Sequence, residues 1–237
     1  MTYSILARCR ETGRFGMAIA TYSVAVGQWC DGLHRHAGVT MSQAFVRTTN
    51  NALALNLLKL GHSARYVTEA LVRDDDFASY RQIGTISEDG RAACHTGEHT
   101  RGWAGHCVGD GFVAMGNVLS GEPVVLAMAE TYEHGTAEPF EQRLLRALEA
   151  GRDAGGQSNG SRPLAERSGA LLVSASDTLD AVNIRVDLHE RAVDELRRVY
   201  AFCSQYADYY RSRGVHPPGA PAQEAFEQER GIAVAKL

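Results

Sequence analysis

Apolar positions along the chain switch repeatedly between a strand period and a helix period. Residues 2–9 form an apolar β-type run, and a turn carrying Gly13 and Gly16 leads to a second run over 17–27, rich in Ala, Val and Ile. Short spacing between two such runs predicts an antiparallel hairpin. A looser segment, 28–36, precedes a third predicted strand over 38–45. Apolar residues then recur at helical spacing over 51–60, stopping at Gly61, and Ser63 opens a second helix over 64–73 as its N-cap. Strands resume at 81–87 and 91–96 around the Glu88-Asp89-Gly90 turn, with another at 111–119. Two amphipathic helices follow at 122–132 and 139–150, then a polar, glycine-rich loop at 151–167. Strands at 168–175 and 181–186 and a long helix at 190–213 complete the pattern.

Runs of strands alternating with pairs of helices argue for antiparallel sheets covered by helices rather than single β-α-β alternation. Two stacked sheets, each with helices outside, satisfy that order: an α+β fold with four layers, αββα. Such stacking buries strands on both faces, which is why 17–20 and 170–173 are continuously apolar. One domain over 1–213 is expected, followed by a tail or arm over 214–237, where Pro and Gly accumulate.

Composition narrows the function classes. A formal net charge of -4 without any basic block makes nucleic acid an unexpected partner. No apolar stretch reaches the ~18 residues of a membrane helix, and no secretory leader is recognisable at the start, so a cytoplasmic protein without a membrane partner is expected. Five cysteines without a CxxC pair fit a reducing compartment. A homo-oligomer, dimer or higher, is expected from outer helices free to pair.

The chemistry most strongly suggested lies at the start. Thr2 follows Met1, and methionine is commonly trimmed before small residues. A trimmed chain would begin with a hydroxyl and a free amine on one residue. An α-amine with a pKa of about 7.7–8 can act as general base for that hydroxyl.

Several stretches then resemble the bacterial domain of unknown function 1028 family. They are Thr2-Tyr3-Ser4-Ile5-Leu6-Ala7-Arg8, Glu11-Thr12-Gly13, Ala25-Val26-Gly27, Ala37-Gly38-Val39 and Gln43-Ala44-Phe45. Further along come Asp89-Gly90-Arg91-Ala92-Ala93, His95-Thr96-Gly97, Trp103-Ala104-Gly105-His106, Gly109-Asp110-Gly111, Gly116-Asn117 and the run from Leu144 to Gly156. The family is placed in the N-terminal nucleophile (Ntn) hydrolase superfamily. The resemblance therefore implies the αββα fold and an amide-hydrolysing site on the first residue. Where the family commonly carries a Ser-Lys-like pair, this chain reads Thr21-Tyr22-Ser23, and its loop at 157–167 is longer.

On that basis the expected reaction is hydrolysis of a small amide, lactam or peptide-like substrate through a Thr2 acyl-enzyme, with no cofactor. Asn117 is the first candidate for an oxyanion donor and Gln43 the second, since an amide inside an apolar strand must find partners. Ser4 shares Thr2's strand face and could bond the amine or simply fill space. Arg8, farther along that face, suits a substrate carboxylate or an ordinary ion pair. His95 and His106 are candidate substrate contacts or structural hydrogen-bonding groups, and His36 a residue of the cleft mouth or a solvated turn. Two rival readings remain: a catalytically silent member binding a small molecule, and a zinc hydrolase using Cys94, His95, His99, His106 and Cys107. The spacing of that cluster matches no zinc-ligand pattern, so no metal is expected. The 151–160 loop has no Walker lysine, which argues against nucleotide binding.

Overall fold

The computed structural model describes residues 1–175 and 181–232. The chain divides into two compact units, Met1–Arg197 and Arg198–Leu237. In the first unit the strands are β1 (Thr2–Arg8), β2 (Phe15–Thr21), β3 (Leu33–His34) and β4 (Gly38–Ala44), followed by helices α1 (Asn50–Lys59) and α2 (Ala64–Arg73). Next come β5 (Arg81–Ser87), β6 (Ala92–Thr96), β7 (Trp103–Gly109) and β8 (Phe112–Leu119), then α3 (Glu122–His134) and α4 (Phe140–Asp153). Short strands β9 (Gln157–Ser158) and β10 (Pro163–Leu164) precede β11 (Ser168–Val173) and β12 (Val182–Val186). Helix α5 (Ala192–Ser204) follows.

Two antiparallel sheets result, one of eight strands running β10-β9-β8-β1-β2-β11-β12 with β7 also on β8, the other of four, β3-β4-β5-β6. Period-two alternation gives each strand two destinations. On β1, Tyr3, Ile5 and Ala7 face α4, whereas Leu6 turns inward with Met17, Ile19, Val113 and Met115 to meet Val39, Met41 and Ile86 of the smaller sheet. Helices α3 and α4 cover the outer face of the large sheet and α1 and α2 that of the small one, where Ala54, Leu58, Val67 and Leu71 pack on Ile83. The expected αββα layering is present. Gly16 allows α4 to settle on β2, since a Cβ there would lie 2.7 Å from Leu144 Cδ1.

Several boundaries differ from the sequence reading. The second strand ends at Thr21, because Ala25 turns left-handed (φ 53°) into a 3₁₀ turn over Val26–Trp29. The glycine-rich loop contains the β9–β10 hairpin, and β7 is an additional strand. The helix expected over 190–213 breaks between α5 and α6 (Ala207–Val215), and the segment expected as a tail carries α7 (Gln223–Arg230). Aromatic clustering accounts for both. Tyr206, Tyr209 and Phe226 form the core of the second unit with Phe202 and Ile232 packed on it, so the expected 213/214 boundary falls inside a folded unit. Residues 233–237 of the expected tail lie outside the described residues. No helix among the described residues is long and apolar enough to cross a membrane.

Candidate active site

Strand register builds a row of polar side chains at one end of the inter-sheet layer. Thr2 lies opposite Asn117 on β8 and opposite Thr21 on β2, and Thr21 lies opposite Ser168 on β11. Directly opposed residues share a sheet face, so all four point inward. Across the gap, register places Gln43 beside Gln82 and Gln82 beside Thr96. All but Thr96 are buried, in a layer otherwise filled by Met, Ile, Val and Leu.

Hydrogen bonds fix the direction of every amide in this cluster. Gln82 Nε2 donates to the carbonyl oxygens of Gly116 (3.0 Å) and Gly105 (3.1 Å) and to Thr96 Oγ1 (2.9 Å). Backbone carbonyls only accept, so this end of Gln82 must be the nitrogen. Its Oε1 then accepts from Gln43 Nε2 (2.7 Å) and Asn117 Nδ2 (3.2 Å). Gln43 consequently turns its oxygen to the Ser4 hydroxyl (2.8 Å), and Asn117 turns its oxygen to the chain-start amine (2.8 Å). Two backbone carbonyls thus set the polarity of the cluster up to the first residue. Asn117, expected as an oxyanion donor, instead presents an acceptor that holds an amine. Gln43, the other expected donor, gives its Nε2 to Gln82 and so supports Ser4.

Thr2 is itself buried, 8% exposed, and its Oγ1 donates to the Met1 carbonyl (2.6 Å) and lies 3.3 Å from Thr21 Oγ1. Thr21 Oγ1 donates to the same carbonyl and accepts from the Ser23 N–H (3.2 Å). Next to this pair opens a cleft of about 100 Å³, lined by Thr2, Thr21, Gln43 and Met1 on one side and by Val24 and Trp29 on another. Burial lowers the pKa of the Met1 amine from 8.0 to about 6 by desolvating its charged form.

Backbone strain gathers at the same end. Ala25, Ala44 and Val118 are the non-glycine residues with left-handed φ among the described residues, at 53°, 71° and 55°. Ala44 lines the cleft, Ala25 sits between cleft-lining Val24 and Val26, and Val118 follows Asn117. A β-branched residue in this region is costly, roughly 1–3 kcal/mol, and such strain concentrates at functional sites.

The remaining expected residues lie elsewhere. Arg8 is at the opposite end of β1, beside the turns containing Gly13 and Gly90, and its Nε is buried without a partner. His36 sits in the exposed turn leading into β4, at the end of that strand away from Gln43. His95 pairs with Ile83 and faces outward, its Nε2 bonded to the Ala78 carbonyl (2.9 Å), while Cys94 beside it points inward to Met115. Strand alternation thereby disperses the His/Cys cluster. Among the described residues no group of three or more His, Cys, Asp or Glu is placed to hold a metal ion. His106 reaches the cluster at second hand, its Nδ1 2.8 Å from Thr96 Oγ1, and burial followed by His95 lowers its pKa.

Sequence reasoning missed Gln82, Thr21, Thr96 and Ser168. For Gln82 the signal was present, because it is an amide in an apolar strand in the same sense as Gln43. Thr21 and Ser168 gave no local sign, since only register brings them beside Thr2.

The relationships of the chain agree with this architecture. No curated protein matches it. Protein SPO2555 from Silicibacter pomeroyi, whose crystal structure carries the same family model, is 31% identical and superposes with a TM-score of 0.79. The match covers 88% of this chain and 92% of that one. Residues 2–196, essentially the whole first unit, match the model of a family of unknown function, DUF1028, and the chain belongs to that family.

Proposed function

We propose that the protein is an Ntn-type amide hydrolase whose nucleophile is Thr2 after removal of Met1. The observation that carries this reading is the seating of Thr2. Its hydroxyl and the neighbouring chain-start amine are held at the end of a buried polar row, against a cleft and beside a second hydroxyl.

Once Met1 is gone, the Thr2 nitrogen becomes a primary amine in the same desolvated setting, which favours its neutral, proton-accepting form. Thr2 Oγ adds to the substrate's carbonyl carbon while its proton passes to that amine. The proton is returned to the departing nitrogen as the amide C–N bond breaks, leaving a Thr2 ester. Water, deprotonated by the same amine, then hydrolyses the ester and releases the acid. We assign oxyanion stabilisation to Thr21 Oγ1, which donates to the Met1 carbonyl with its lone pair engaged by the Ser23 N–H. Asn117, opposite Thr2 on β8 and bonded to the Met1 amine while Met1 is present, is the residue we assign to the new amine; Gln82 holds Asn117, and Gln43 holds Ser4.

Intact mass spectrometry combined with an amide-hydrolysis assay tests the reading. The purified protein should lack Met1 and lose its hydrolytic activity on Thr2→Ala substitution. Quantitative retention of Met1 in an active protein would contradict it. One observation favours a second reading, binding without turnover: while Met1 is present, its carbonyl and amine occupy both hydroxyls and Asn117. That reading predicts retained Met1 and ligand binding without product.

A further inference from the structure

The cleft beside Thr2 differs from three others in the molecule by the charge of its walls. The cleft at Arg143 also carries Arg10, Glu11, Asp110 and Glu133. Its neighbour carries Arg14, Glu138 and Glu141, and the one at His62 carries Glu88 and Asp89. Among the described residues, the Thr2 cleft has no charged side chain. Its polar lining is confined to Thr2, Thr21, Ser23, Ser42 and Gln43, and the rest is aliphatic or aromatic. Apart from the chain-start amine, none of the described residues lining it ionises.

Arg47, Arg81 and Arg167, on segments flanking the cleft, are engaged elsewhere, Arg47 with the Asp74 carboxylate. Arg81 bonds the Asp75 carboxylate and the Phe45 carbonyl. Arg167 bonds the Tyr22 carbonyl and stacks its guanidinium 4.2 Å from the Tyr22 ring centre. A carboxylate or ammonium entering the cleft would lose water and find no countercharge, a cost of several kcal/mol. Besides Met1, the cleft keeps three large apolar side chains exposed, Val24 at 50%, Trp29 at 40% and Val46 at 38%, which an apolar guest would cover. A volume of about 100 Å³ holds about three or four groups of water or methylene size at ~30 Å³ each. Removal of Met1, itself part of the lining, adds to that room.

Building on the hydrolase reading above, we infer that the substrate class is an amide whose acyl group is short, apolar and uncharged. The acyl chain lies against Val24, Val26 and Trp29, with its carbonyl carbon facing the Thr2 hydroxyl and its carbonyl oxygen turned toward the Thr21 hydroxyl. Discrimination is exerted by desolvation, so anionic and cationic chains of equal length are both rejected.

The test compares three 4-nitroanilides of matched length on the Met1-free protein: pentanoyl, succinyl and 4-aminobutanoyl. The pentanoyl compound should exceed both charged ones in kcat/KM by about 100-fold or more. A Val46→Lys variant, altered at the cleft rim, should move the succinyl-to-pentanoyl ratio upward about tenfold. Charged chains hydrolysed as fast as the neutral one, or a ratio unmoved in Val46→Lys, would overturn the inference while leaving the hydrolase reading intact. If none of the three anilides is cleaved, the hydrolase reading fails, and binding decides the inference separately. Pentanamide should then raise the melting temperature where succinamate does not, and the reverse order would overturn it.

Discussion

The two ends of the inter-sheet layer are built from the same strands and hold different chemistry. Toward the Arg8 end, Leu6, Met17, Val113 and Leu172 of the large sheet meet Val39 and Ile86 of the small one, in an apolar core. Toward the Thr2 end, the same β1, β2, β8 and β11 present Thr2, Thr21, Asn117 and Ser168 to Gln43, Gln82 and Thr96. Apolar contacts tolerate small rearrangements because they have no direction, but a buried amide satisfies its donors and acceptors in only one orientation. The apolar end therefore secures the stacking of the sheets, and the polar end fixes where individual atoms sit. The left-handed Ala25, Ala44 and Val118 also lie toward the polar end, so stability is given up where positions are most tightly specified.

Substitutions at the two ends should separate activity from stability. Thr2→Ala should reduce amide hydrolysis by on the order of 10³-fold or more, while urea denaturation shifts by no more than about 1 kcal/mol. Met17→Ala, at the apolar end, should do the opposite, costing about 2–5 kcal/mol with kcat/KM of the folded protein unchanged within about twofold. Gln82→Leu should affect both properties. It strands the Gly105 and Gly116 carbonyls and frees the amides of Gln43 and Asn117, so about 3 kcal/mol of stability and on the order of 10²-fold in rate should be lost. An unchanged rate in a folded Gln82→Leu protein would show that amide orientation does not matter to turnover.

Smaller effects concern the proton acceptor and the strained backbone. Desolvation lowers an amine pKa, so the accepting form persists to lower pH. The rate should therefore rise with pH and level off below the 8.0 of an ordinary chain start. In chain that retains Met1, the folded amine titrates at about 6 and the unfolded one at 8.0, so the unfolded state binds more protons between these values. Stability from this group is then fully present above pH 8 and falls as pH drops toward 6. Val118→Gly removes left-handed strain of roughly 1–3 kcal/mol and returns about 1 kcal/mol of chain entropy. A net gain of about 1 kcal/mol is expected, with a loss of a few-fold in kcat as Asn117 loosens.

Much of the architecture was legible because α2 and α4 carry their destinations in their apolar period, while β1 and β2 are apolar runs of strand length, as strands buried on both faces must be. The convergence of Thr2, Ser4, Gln43 and Asn117 was legible for a related reason: polar residues embedded in apolar strands have few places to go. β7 was not, because Trp103–Gly109 mixes Gly, His and Cys without alternation, and its one ladder partner among the described residues is β8. Arg8 illustrates a second limit. Period two correctly assigns its face, but a strand rises about 3.3 Å per residue, so the far end of a seven-residue strand is on the order of 20 Å from Thr2. His95 illustrates the parity rule itself, since one position along β6 separates the cluster-facing Thr96 from a side chain that faces outward. Gln82 became the hub through its pairing with residues 39 and 35 positions away in sequence, and no local pattern carries that information.

The most direct measurement of the central claim is covalent labelling of the purified protein with a β-lactone electrophile, followed by intact mass and peptide mapping. The seating of Thr2 predicts a single adduct on a chain lacking Met1, mapped to the Thr2 hydroxyl and absent from Thr2→Ala. An adduct on another residue, or none on a Met1-free chain at saturating probe, would contradict it.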